Sequence, residues 1–207
     1  MIFRMFNLKI NASDHAEFLK VGRHNLTTSI KTEPDTLTMY ATHADSAGTD
    51  NYIFEVYQDE NAYDIHSHSP QFKNFAEMAK KVVKERTIVQ LTPELLVEQI
   101  NGFTIMDSQA IVQLNQVNLT KNQLASLLPK LRQAVKNDPQ FYACLVGSDV
   151  DNPEKITILT TYQNHAAAEH HHSLFSGTSL FLHPDTIVSH GGLDYNNHRS
   201  HSCTTSL

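Results

Sequence analysis

Cysteine is scarce in this chain. Its 207 residues hold two, Cys144 and Cys203. Cys144 lies in the apolar run Phe141-Tyr-Ala-Cys-Leu-Val and reads as a buried small hydrophobe, whereas Cys203 stands in a polar stretch. A disulfide framework is therefore not expected, and a reducing compartment fits. Long hydrophobic runs are also missing. No stretch approaches the roughly 20 apolar residues that cross a bilayer. The first ten residues lack the apolar core of a signal peptide, so the expected location is the cytoplasm, with no membrane partner. Positive charge is in deficit: 16 Lys and Arg against 22 Asp and Glu give a formal net charge of −6. The basic residues are scattered, which argues against a phosphate-backbone binder and hence against nucleic acid as a partner. There is no glycine-rich phosphate loop, no nucleophile elbow and no dinucleotide fingerprint.

What is present is a repeat. Shifting the sequence by 105 places Pro34 on Pro139, Ile53 on Ile158, Tyr57 on Tyr162, Gln58 on Gln163, Ala62 on Ala167 and His66 on His171. The helical stripe keeps its phase as well: Leu19, Leu26 and Ile30 fall on Leu124, Leu131 and Val135.

In the first copy, residues 2 to 10 read as a strand. Asn11 to Asp14 supply helix-start chemistry, and Phe18, Val21, Gly22, Leu26 and Ile30 follow at helical spacing. Pro34-Asp35 stops that helix. Residues 37 to 41 and 52 to 57 read as a hairpin around a Ser-Ala-Gly-Thr-Asp turn. Asp59 can cap a short helix. Ser69-Pro70 is an N-cap followed by proline at the first helical position, where its missing N–H is harmless. Residues 87 to 91 are β-branched and strand-like. The order β-α-β-β-α-β is the ferredoxin-like pattern. In the second copy Pro129 should kink the first helix.

The fold class expected is thus α+β, with two tandem ferredoxin-like modules packed sheet to sheet as an intrachain barrel. Residues 1–92 form the first module, 93–108 a linker, 109–191 the second, degenerate module, and 192–207 a disordered tail. One such module leaves a sheet face bare. A covalent pair can bury both faces as a pseudo-dimer, and each module keeps a cleft between sheet and helices for a small-molecule ligand. A further homodimer is left open.

His66 is the foremost candidate for chemistry, because an imidazole titrates near neutrality and can accept a proton. A structural helix-end histidine is the alternative. Asn25 and Ser29 are four apart and share a helix face. They either satisfy buried backbone or line the cleft. Glu33, matched by Asp138, sits against the helix dipole, which favours a specific partner, although a solvated turn residue is the leading reading. Tyr57 and Tyr162 read as core. The histidines at 165, 170, 171 and 172 lack the Cys or acidic partners of a ligand set, and Cys203 with His198 and His201 is weaker, so no metal site is expected.

Two segments, Asn25 to Leu37 and Glu55-Val-Tyr57 through Ala62, His66, Ser69-Pro70 and Phe72, resemble the antibiotic biosynthesis monooxygenase family of dimeric α+β barrel proteins. The likeness spans residues 1 to 91 and, more faintly, 109 to 190. It implies oxidation of a small quinol-like or enol-like substrate without a cofactor, dioxygen being the co-substrate. His66 would be the base or anion partner, and Asn25 and Ser29 would orient the substrate. The pocket would be completed by Tyr57, Phe72, Phe18 and Val21, with His171 the equivalent of His66. The resemblance leaves two rivals: an isomerase or processing enzyme for a small hydroxylated metabolite on the same site, and a non-catalytic ligand-binding or stress-associated module. The sequence has no tryptophan, whereas the haem-degrading branch uses one, and Ala76 and Glu77 stand near that branch's haem-ligand position. Haem is thus disfavoured. Leu174-Phe175 replaces Ser69-Pro70 in the second copy, so that cleft is expected to be filled by protein.

Overall fold

Each half of the chain runs β-α-β-β-α-β in the computed structural model, which describes residues 1–106, 108–175 and 179–197. The first half comprises β1 (Ile2–Lys9), α1 (His15–Thr32), β2 (Thr36–His43), β3 (Asp50–Tyr57), α2 (Glu60–His68), α3 (Pro70–Val82) and β4 (Glu85–Glu98). A short strand, β5 (Phe103–Ile105), leads into the second half: β6 (Ile111–Asn118), α4 (Lys121–Asn137), β7 (Phe141–Asp149), β8 (Lys155–Tyr162), α5 (His165–His170) and β9 (Leu180–Ser189), followed by β10 (Asp194–Asn196).

The local chemistry accounts for the starts of α2, α3 and α4, whereas Asp14, before α1, makes no side-chain cap. The Asp59 side chain accepts from the Ala62 amide at 2.9 Å, and Ser69 Oγ accepts from the Phe72 amide at 3.3 Å. Thr120 and Gln123 form a reciprocal capping box on α4. That helix continues through Pro129 from Lys121 to Asn137.

The strands follow the order β1-β3-β2-β9-β6-β8-β7-β4, and β4 returns to pair with β1, so the sheet closes into a barrel. Closure depends on two long strands that each serve both halves. β4 pairs with β1 over Glu85–Leu91 and with β7 over Leu91–Glu98. β9 pairs with β6 over Leu180–Leu182 and with β2 over His183–Ser189. The first residues of the expected linker, 93 to 98, are therefore the second half of β4. Residues 194 to 196, expected within a disordered tail, form β10 against β4, and Arg132 makes a bidentate ion pair with Asp194. That pairing with β4 orders the segment, which composition does not reveal. Residues 198–207 lie outside the described residues, as do Cys203, His198 and His201.

Side chains of both halves fill the barrel. Phe3, Met5, Tyr40, Phe54, Leu91, Leu96, Val112, Leu145, Leu159 and Ile187 belong to one buried cluster. Outside it, the second half has a continuous apolar layer beneath α4, with Leu124, Leu128, Leu131, Phe141, Ile158 and Tyr162. The corresponding layer of the first half is split in two. Leu8, Ile10, Phe18 and Ile53 form one group, and Leu26, Met39, Ala41 and Val188 the other. Buried polar side chains accompany that split.

Candidate functional site

The buried face of α1 carries Phe18, Val21, Gly22, Leu26, and with them Asn25 and Ser29. Asn25 is 1% exposed and Ser29 fully buried. Glu33 caps the end of α1, its amide bonded to the Ser29 carbonyl. The last turn of α2 brings His66 to this helix end, and the first turn of α3 brings Gln71.

His66 Nδ1 lies 2.9 Å from Glu33 Oε2 and 3.2 Å from Ser29 Oγ. Thr36 Oγ1 donates to the same Glu33 oxygen at 2.8 Å, and Gln71 Nε2 donates to Glu33 Oε1 at 2.6 Å. Burial works to raise the Glu33 pKa. The hydrogen bond and charge of His66, with the Thr36 and Ser29 hydroxyls, outweigh it and hold Glu33 below the ordinary carboxylate range. An ionised Glu33 calls for a proton on Nδ1. In the neutral ring Nε2 then keeps its lone pair, an assignment made from the network. Nε2 is buried and has no hydrogen-bond partner.

Glu55, on β3, is the second buried carboxyl. Its environment works the other way: burial raises its pKa, against the opposing influence of His66 and Tyr57. Tyr57 donates to Glu55 Oε2 at 2.9 Å. Two carboxyl groups beside one imidazole are thus driven apart, Glu33 toward the anion and Glu55 toward the neutral acid.

A cavity of about 430 Å³ opens between α3 and strands β1, β3 and β4, with Arg4, Glu55, Tyr63, Phe72 and Phe75 on its wall. A cavity of about 10 Å³ lies beneath α1, lined by Phe18, Asn25 and Glu55 among others. The expected site residues divide accordingly. His66 and Ser29 are bonded to each other. The rings of Tyr57 and Phe72 stand 5.4 and 4.9 Å from that of His66. Phe72 faces the large cavity, Asn25 and Phe18 the small one. Val21 is buried on α1 and lines neither. His66 sits behind Phe72 and is not itself on the large cavity's wall. Sequence reasoning missed Glu55 and Gln71 as site residues and took Glu33 for a solvated turn residue, whereas it is 5% exposed and the partner of His66. The signal that could have found Glu33 is the repeat itself: Glu33 with His66 recurs as Asp138 with His171.

In the second half His171 Nε2 lies 2.8 Å from Asp138 Oδ2. Its ring packs against Phe141 and Tyr162. Thr160 stands in the place of Glu55 and Ala134 in that of Ser29, so the acid and the hydroxyl are gone. His165, His170, His171 and His172 take no part in any ligand group among the described residues. The single group able to hold a metal there joins His15, His43 and Asp185.

Residues 1–78 match the model of the antibiotic biosynthesis monooxygenase family. No curated protein matches the chain. Among solved structures, a Lactobacillus acidophilus protein provisionally named a monooxygenase is 21% identical, with a TM-score of 0.82 over 94% of this chain and 99% of its own. A Fusobacterium nucleatum protein, also provisionally named a monooxygenase, is 14% identical, with a TM-score of 0.81 over 94% and 97%. An anthrone oxidase-like protein is 10% identical, with a TM-score of 0.51 over 92% and 94%. These likenesses extend the fold over both halves: the chain is a tandem α+β barrel, and its similarity to the antibiotic biosynthesis monooxygenase family lies in residues 1–78 of the leading module.

Proposed function

We propose that the chain is a cofactor-independent monooxygenase that oxidises a small quinol-like or enol-like molecule in the first module. The observation that carries this reading is the buried His66 imidazole, anchored through Nδ1 by Glu33 and Ser29 with Nε2 unpartnered, directly behind the wall of a cavity of about 430 Å³. Catalytic hydrogen bonds are often incomplete until substrate is bound. A shift of the Phe72 ring brings the imidazole to the guest.

In this reading His66 Nε2 takes a proton from a ring or enol-tautomer CH2 group. Glu33 stabilises the resulting imidazolium. Glu55, whose pKa burial raises, acts in its protonated form and donates a hydrogen bond to the substrate oxygen on which charge accumulates. The carbanion reacts with dioxygen, forming a C–O bond, and His66 returns its proton to the peroxide. Loss of water leaves a carbonyl, so CH2 plus O2 becomes C=O plus H2O. The substrate itself supplies all the electrons. The anthrone oxidase-like neighbour lends its name to a reaction of this type, and the fold it shares with this chain supports the comparison.

The test is oxygen uptake by the metal-stripped protein across a panel of anthrones, quinols and β-diketones. Consumption matched by a carbonyl product supports the reading. Proton exchange at the substrate without oxygen uptake would instead assign the same residues to an isomerase.

A further inference from the structure

We infer that His15, His43 and Asp185 form a binding site for a divalent transition-metal ion of the zinc class, placed on the seam between the two halves. The three side chains come from distant parts of the chain. His15 opens α1, His43 ends β2, and Asp185 lies on β9 of the second half. Their ligating atoms all lie within 4.8 Å of one another. Two imidazoles and one carboxylate suit Zn²⁺, Co²⁺ or Ni²⁺ and not the oxygen-seeking Mg²⁺ or Ca²⁺. Three protein ligands leave a coordination position for solvent.

The backbone is shaped around this group. Ala41 pairs with Thr186 and Thr42 with Pro184, so Asp185 is the extra residue of a β-bulge, a device that re-aims a side chain. Its carboxylate lies 2.8 Å from His43 Nδ1. His15 Nε2 is buried without a hydrogen-bond partner. The turn before β3 closes over the His15 ring through Gly48, at φ 66°, where an added Cβ would stand 2.2 Å from Nε2. His183 stacks on His43 with centroids 5.0 Å apart. Arg23 approaches from α1 but reaches the Asp185 backbone carbonyl, at 3.5 Å. None of the three ligands belongs to the His66 network, so the site stands whatever the reaction proves to be.

An ion held here ties the start of α1 and the end of β2 to β9, in addition to the strand pairing at that seam. The test uses tag-free, full-length protein stripped with chelator and titrated with Co²⁺. The expected result is one tightly bound equivalent with the visible bands of low-coordinate Co²⁺, displaced by Zn²⁺, and a melting temperature that rises with Zn²⁺. His15→Gln removes both signals while keeping the native far-ultraviolet dichroism, because the His15 ring nitrogen has no bond to lose. The paired variant His170→Ala/His172→Ala keeps both. Absence of the bands at stoichiometric Co²⁺, their survival in His15→Gln, or their loss in the His170/His172 variant would overturn the assignment.

Discussion

Glu33 and His66 are 33 residues apart in sequence and 2.9 Å apart in space, and Asp138 and His171 repeat the pairing at the same separation and 2.8 Å. The two pairs meet through opposite ring nitrogens, Nδ1 in His66 and Nε2 in His171. The acid-imidazole couple is thus a feature of the repeat, whereas the wiring around it is not. His66 has Ser29, Gln71 and Glu55 about it. His171 lies between Phe141 and Tyr162.

If the chain turns over substrate as proposed, that asymmetry assigns the chemistry to the first half. His66→Ala is expected to lower oxygen uptake by about 10²–10⁴, the range for loss of a general base. His171→Ala should leave it within about twofold. Equal losses in both variants, with both still folded, would remove the first module's special status.

Glu55 separates an acid from a base. If its neutral carboxyl donates to the substrate oxygen, Glu55→Gln retains a donor and keeps most of kcat, whereas Glu55→Ala loses about 10²–10³. A Glu55→Gln variant as slow as the alanine would make Glu55 the base instead.

Glu98 gives a pH test of the seam. It is fully buried at the end of β4, and Oε2 accepts from Ser189 Oγ on β9 at 2.6 Å. Burial pushes its pKa up to about 7, with the Ser189 and Thr38 hydroxyls opposing. Between the ordinary value of 4.5 and about 7 the folded state holds a proton that the unfolded state has released. Stability should therefore fall as pH rises through that window. Glu98→Gln should flatten the fall and raise unfolding free energy at pH 8 by about 1–3 kcal/mol. Denaturant midpoints at pH 5 and 8 measure both.

Gly147 tests the barrel interior. On β7, opposite Pro93 of β4, it leaves room for two neighbours: an added Cβ would meet Leu91 Cβ at 2.8 Å and Phe3 Cδ1 at 2.9 Å. Both are core residues, 4% and 1% exposed. Gly147→Ala should cost about 1–3 kcal/mol by overpacking. An unchanged melting temperature would show that this layer is loosely packed.

The sequence by itself determined the tandem arrangement, the order of elements and the starts of α2, α3 and α4. Those depend on apolar periodicity, capping residues and proline, all of which act within a few neighbours. It also singled out His66, because an imidazole can accept a proton near neutrality and this one recurs after 105 residues. The extent of β4 and the place of β10 were decided by pairing with strands far away in the chain. A carboxylate at a helix C-terminus is locally unfavourable, and the sequence named no partner for Glu33, so it read as solvated. Only tertiary structure supplied the His66, Thr36 and Gln71 donors that outweigh that cost. Long-range closure likewise decided which polar side chains share a site, gathering His15, His43 and Asp185. Such partners meet because the barrel shuts, and no local pattern encodes that.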